Sequence, residues 1–138
     1  MEYVIGVVLS AVVFVFSMVT GFIRDRVFFP TVLIVVATYY ILFAVMGAST
    51  RALLSESFAA GLFLVVAVAG FRKNLWLVAV ALAGHGVFDF FHHGLIANPG
   101  VPVWWPGFCM AYDVVAGGLF AVLLVKRPAT TAPSRSRI

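Results

Sequence analysis

The chain has 138 residues, of which 64% are hydrophobic and only 10% are charged, and its mean hydropathy is +1.14. Soluble domains carry about a quarter charged residues, so this composition excludes an ordinary soluble domain. The net charge of +4 is explained by membrane topology, with anionic lipid headgroups as counterions, and we expect no nucleic-acid partner.

Apolar stretches of about 20 residues recur along the chain, and stretches of this length predict transmembrane helices. Short turns separate them, so we expect an all-α membrane bundle in which neighbouring helices run antiparallel. The five predicted helices span residues 3–22, 29–48, 53–71, 75–97 and 108–126. Residues 1–127 then form the transmembrane domain, and residues 128–138, rich in Ser, Thr, Pro and Arg, form a disordered cytoplasmic tail.

Basic residues predict the orientation of the bundle, because Lys and Arg favour cytoplasmic loops. Of the nine basic residues, only Arg51 lies between helices two and three. The others share the opposite side: Arg24, Arg26, Arg72, Lys73, Lys126, Arg127, Arg135 and Arg137. We therefore expect the N-terminus outside and the C-terminus in the cytoplasm, in a bacterial inner membrane.

Helix four carries every histidine of the chain, together with Asp89. At 100° per residue, His85, Asp89 and His92 fall within an arc of about 60°, whereas His93 points about 100° away from His92. Ionisable groups at membrane depth are costly and mark functional sites. The spacing therefore predicts a buried polar stripe on helix four.

Two further acids are predicted at the same depth as this stripe. Helix five enters from outside, which places Asp113 about 8 Å below its outer end, close to the depth of His92. Glu56 lies within about the first turn of helix three, which also starts outside. The site is thus expected in the outer half of the bundle.

Imidazole and carboxylate groups together favour a divalent metal, with zinc or iron as the expected cofactor. One arrangement is a single-metal site formed by Asp89, Asp113 and either His92 or His93, with His85 acting beside it. Another is a two-metal site in which Asp89 bridges ions about 3.5–4 Å apart. All five of these residues are therefore candidate metal ligands.

A metal-free site is the alternative. His85, Asp89 and Glu56 are then the candidate catalytic residues, because a carboxylate and an imidazole in an apolar pocket can serve as general acid and base. The same groups could also pass protons through the bundle. A third interpretation is a hydrogen-bonded network that only holds the helices together.

Two other features carry expectations about packing. Small residues in membrane helices let backbones approach closely, so we expect the face of helix five that bears Gly117 to contact helix four. Residues 98–107 form a proline-rich outer loop, which is either a lid over the site or an anchor at the lipid surface through Trp104 and Trp105. Tyr39 and Tyr40 on helix two are expected mainly to pack.

The segment GHGVFDFFHHGLIANPGVPVWWPGFCMAYDVVAG resembles the core of an uncharacterised family of small multi-pass bacterial membrane proteins, domain of unknown function 6010. That family shows a His-x-x-x-Asp-x-x-His-His helix, an Asn-Pro loop and a Cys-x-x-x-Asp segment. The matching residues are His85, Asp89, His92, His93, Asn98, Pro99, Cys109 and Asp113. The resemblance implies a site but no reaction, because the family has no assigned activity.

A weaker resemblance is to emopamil-binding-type sterol isomerases, which carry a His-x-x-x-acid helix in a five-helix bundle. Only His85 and Asp89 match that pattern. This resemblance implies acid–base chemistry on an apolar substrate, by analogy of fold.

Three functions follow from these observations. The first is a metal-dependent membrane enzyme acting on a lipid or another apolar small molecule. The second is a metal-free isomerase or cyclase. The third is a proton- or ion-coupled transporter, which the lack of an evident inverted repeat disfavours. Membrane lipids and an apolar substrate are the expected partners, and a homo-oligomer is left open.

The charge distribution predicts that a C-terminal reporter stays in the cytoplasm. Alkaline phosphatase fused after Ile138 should be inactive, because it folds only in the periplasm, and a fluorescent protein fused there should fluoresce. An active phosphatase fusion would show that the orientation is the opposite one and that the polar site lies in the cytoplasmic half.

Overall fold

The computed structural model describes residues 1–127, which form five α-helices and a single 3-10 turn. All five helices are long and apolar enough to cross a membrane, which confirms an all-helical chain with five candidate spans. Their bounds are α1 Glu2–Thr20, α2 Phe28–Met46, α3 Thr50–Arg72, α4 Leu75–Leu95 and α5 Trp105–Lys126. The predicted tail, residues 128–138, lies outside the described residues.

Local chemistry explains where several of these helices begin and end. The side chains of Ser49 and Asn74 accept hydrogen bonds from Ala52 N at 3.2 Å and Trp76 N at 3.0 Å, and so cap α3 and α4. α1 ends at Gly21, whose φ of 85° is the left-handed conformation that glycine adopts readily. α5 begins three residues earlier than predicted, because a proline suits the first turn of a helix.

α4 is the central helix of the bundle. It packs against α5, α3 and α2, whereas α1 packs mainly on α5 and leaves a gap beside α2. The outward face of α1 is apolar and exposed at Val4, Val8, Val12, Val15 and Val19. Such a surface is typical of a helix that faces lipid. The polar stripe of α4, by contrast, is enclosed by three other helices.

Two glycines allow α4 and α5 to approach closely. A Cβ at Gly117 would lie 2.9 Å from Ala79 O and from Ala83 N, so the expected contact between these faces is confirmed. A Cβ at Gly86 would similarly lie 2.9 Å from a backbone carbonyl of α5. Other glycines of α4 and α5 make no such close contact: a Cβ would meet nothing within 4 Å at Gly84, Gly94 and Gly118.

Substitution of Gly117 should therefore loosen the packing of α4 on α5. Gly117→Ala should lower the free energy of unfolding by about 1–3 kcal/mol, because the added methyl group presses on backbone atoms that cannot yield easily. Gly118→Ala is the matched control and should cost nothing. Thermal unfolding in detergent measures both, and equal stabilities of the two variants would contradict the close approach.

Candidate functional site

A buried group on α4 and α5 forms the centre of the site. His85 Nδ1 lies 2.6 Å from Asp113 Oδ2 and 3.2 Å from Asp89 Oδ2. All three side chains are at most 1% exposed. One possible ligand atom from each lies within 4.8 Å of the others, which is the spacing of a potential metal site. The three-residue group joins two helices through one imidazole.

This group differs from the single-metal arrangement predicted from the sequence. His85, and not His92 or His93, lies beside Asp89 and Asp113. The reason is depth: with the observed helix ends, Asp113 lies about 12 Å from the loop end of α5. His85 lies about 15 Å, and His92 only about 4.5 Å, from the loop end of α4. Asp113 is therefore level with His85.

His92 belongs to a second buried cluster nearer the loop. His92 Nε2 lies 2.7 Å from Glu56 Oε1, which also accepts a hydrogen bond from Asn98 Nδ2 at 2.9 Å. Asn98 Nδ2 is also 3.1 Å from Tyr40 O. This cluster ties α2, α3, α4 and the α4–α5 loop together. His93, by contrast, is exposed on another face of α4 and contacts neither acid.

Aromatic rings pack around the two clusters and separate them from the surface of the bundle. The Tyr40 ring stacks on His92, with ring centroids 4.0 Å apart and planes 16° from parallel. The Phe63 ring meets His85 edge-on at 4.7 Å. Phe88 lies between the two histidines, 5.9 Å from His85 and 5.6 Å from His92. These walls exclude water and strengthen the electrostatic interactions inside.

Several polar atoms that point into this region have no hydrogen-bond partner within residues 1–127. They are Tyr40 Oη, both carboxylate oxygens of Asp89, His92 Nδ1 and Asp113 Oδ1. A buried polar atom without a partner costs about 1–3 kcal/mol. Asp89, which lies 3.2 Å from His85 Nδ1 but meets the geometry of no hydrogen bond within residues 1–127, is thus the least satisfied acid of the site.

Sequence reasoning underestimated three residues of the site. The sequence indicates Asn98 only as part of the loop and of the family motif, yet its side chain donates a hydrogen bond to Glu56. Tyr40 is expected to pack, and its ring covers His92. Cys109, which the sequence indicates only through the resemblance, donates from Sγ to Asp113 Oδ2 at 3.9 Å. The spacing Cys-x-x-x-Asp was the available signal for Cys109, because residues four apart share a helix face.

Trp104 ends the α4–α5 loop and Trp105 begins α5, and the two side chains have different environments. Trp105 packs inward against Tyr39 and Phe43, with ring centroids 5.0 Å and 4.9 Å away. Trp104 is 51% exposed, as expected for a residue at the lipid surface. A Cβ at Gly100 would overlap the carbonyl of Phe43, so the loop lies directly on the end of α2. The loop thus packs on the end of α2 and contacts the Glu56–His92 cluster through Asn98.

A long apolar groove reaches the site from the side of the bundle. It has a volume of about 550 Å³ and runs between α1 and α2 over α5. Tyr39 and Trp105 line one end and Phe22 and Asp25 the other, with Cys109 in its wall. Because Cys109 also contacts Asp113, a single side chain separates the groove from the three-residue group.

Comparisons of the chain with known protein families, with curated proteins and with solved structures found no match. The resemblances to the uncharacterised membrane family and to sterol isomerases stay predictions.

Removal of Glu56 should destabilise the loop end of the bundle. Glu56→Ala leaves His92 Nε2 and Asn98 Nδ2 without their shared acceptor, and should lower the free energy of unfolding by about 1–3 kcal/mol. Ser57→Ala, an exposed change on the same helix, is the control. Denaturant unfolding in detergent compares them, and equal stabilities would show that this cluster contributes nothing.

Proposed function

We propose that this protein is a membrane-embedded, metal-dependent enzyme that acts on an apolar substrate, and that His85, Asp89 and Asp113 hold the metal. One observation carries the proposal: three ligand atoms from two helices lie within 4.8 Å of one another, in side chains that are almost completely buried.

The residues present fit a divalent ion. One nitrogen and two carboxylate oxygens are ligands that both zinc and iron accept. Two atoms bound to one zinc at about 2.0–2.2 Å are at most about 4.4 Å apart, so the group closes with small side-chain shifts. The unpartnered oxygens of Asp89 and Asp113 supply the remaining argument, because a cation would compensate for their burial.

In this proposal a bound ion supplies Lewis-acid polarisation of a substrate oxygen or of a water molecule. The protein groups hold and orient the reacting partners. Cys109 donates to Asp113 and so keeps its carboxylate facing His85. Glu56, predicted as catalytic, makes its contacts outside the three-residue group, and we assign it a positioning role through His92 and the loop.

The apolar substrate is proposed from the groove. Its volume of about 550 Å³ is typical of small-molecule sites, and nearly all of its lining is apolar or aromatic. The groove borders helices that are long enough to span a membrane, so a substrate dissolved in lipid can enter it from the side. Cys109, in its wall, contacts Asp113.

A metal-free acid–base enzyme is the second candidate, and the 2.6 Å contact between His85 and Asp113 favours it. A histidine so oriented by a carboxylate can take and return a proton. Metal removal distinguishes the two candidates, since only the first then loses activity.

The metal content of the protein tests the proposal. Protein made without a polyhistidine tag or chelator should contain a stoichiometric divalent ion by mass spectrometry of the elements. Asp89→Ala and Asp113→Ala each remove a ligand, so metal affinity should fall at least about tenfold. His93→Ala should keep the ion, because this histidine is exposed outside the group.

Folded wild-type protein that binds neither zinc nor iron after reconstitution would overturn the metal proposal. An equal loss of metal in His93→Ala and Asp89→Ala would instead overturn the ligand assignment. Circular dichroism of each variant shows whether the bundle has remained helical.

A further inference from the structure

A second cavity lies at the opposite end of the bundle, where residues 21–27, the α3–α4 turn and the end of α5 meet. Its volume is about 700 Å³, and it is about 15 Å along α4 from His85. Four cationic side chains and one carboxylate line it: Arg24, Arg26, Lys73, Arg127 and Asp25. We refer to it as the basic cavity.

None of the cations of the basic cavity makes an ion pair within the described part of the protein, and Asp25 is the one carboxylate among four cations in the lining. Within residues 1–127, the ion pairs involve only the N-terminus, His85 and His92. Arg26 Nη2 donates to Phe71 O at 3.3 Å, and so is held near the α3–α4 turn. The other three cationic side chains are exposed and free to reach an anion.

The floor of the basic cavity is apolar. Phe29 and Phe120 stack within it, with ring centroids 3.9 Å apart, and Leu123 and Leu124 continue the surface along α5. Trp76, 42% exposed, stands beside them and suits the boundary between headgroups and hydrocarbon. A cationic rim above an apolar floor complements a molecule with an anionic head and a hydrocarbon body.

We propose that the basic cavity binds an anionic phospholipid, with the phosphate against Arg24, Lys73 and Arg127 and the hydrocarbon against the apolar floor. Basic pockets between membrane helices recognise such headgroups. A free phosphate ion would use only the rim and leave the floor without a role. The proposal does not depend on the metal site.

General attraction to a negative membrane surface is the competing explanation, and the chain offers matched controls for it. Arg72 and Lys126 lie at the same end but outside the lining of the basic cavity. Loss of either changes the net charge as much as loss of Lys73 or Arg127. Arg51, at the other end, is a further control.

The experiment measures lipid binding to the full chain in detergent by native mass spectrometry. Phosphatidylglycerol and phosphatidylcholine with the same acyl chains are the two probes. Phosphatidylglycerol should bind more tightly, and Arg24→Gln, Lys73→Gln and Arg127→Gln should each weaken it about fivefold. Arg72→Gln, Lys126→Gln and Arg51→Gln should change it less than any variant of the cavity.

Three outcomes would overturn the proposal. Equal losses in the cavity variants and in Arg72→Gln would indicate general surface attraction. Equal binding of the two lipids would exclude headgroup recognition. Displacement of the lipid by inorganic phosphate would indicate a free-anion site. Because the substituted side chains are exposed, each variant should fold, and its melting temperature verifies this.

Discussion

The contact between His85 and Asp113 constrains the whole arrangement of α4 and α5. At membrane depth there is no water to satisfy an imidazole or a carboxylate, so each must find its partner on a neighbouring helix. A 2.6 Å contact allows little sliding or rotation between the two helices. Gly86 lies next to His85 and Gly117 one turn beyond Asp113, so close backbone approach flanks the polar contact on both sides. Polar pairing and small-residue packing thus specify the same register.

Much of this arrangement could be predicted from the sequence, because helical periodicity and the cost of buried charge leave few alternatives. The stripe of His85, Asp89 and His92 on α4 and the exposure of His93 follow from 100° per residue alone. The pairing of His85 with Asp113 could not be predicted in this way, because it depends on differences of a few ångströms in depth along the two helices. An error of three residues in the predicted start of α5 moves Asp113 by about 4.5 Å along the helix axis. This shift is enough to place Asp113 level with His92 in the prediction, although it is level with His85 in the structure.

The path of the α4–α5 loop could not be predicted from the sequence, for a different reason. Prolines indicated a stiff loop but gave no direction for it, and nothing in the local pattern showed that Asn98 turns inward to Glu56. The packing of α1 on α5 also could not be predicted, because the sequence of a helix that is apolar on all faces does not indicate which neighbouring helix it contacts. That packing leaves the gap beside α2, and the gap is the apolar groove.

Asp89 is the residue that a purely structural account explains least. Glu56 and Asp113 each accept hydrogen bonds that link neighbouring segments of the bundle, and these bonds offset the cost of burying the two carboxylates. Neither oxygen of Asp89 has such a bond within residues 1–127. An acid near the centre of a membrane helix costs about 2.5–3.5 kcal/mol, and apolar replacements of buried charges are often neutral or stabilising. Within residues 1–127 the ion-pair contact of Asp89 is with the imidazole of His85 at 3.2 Å, and a cation bound as proposed would compensate for the rest of that cost.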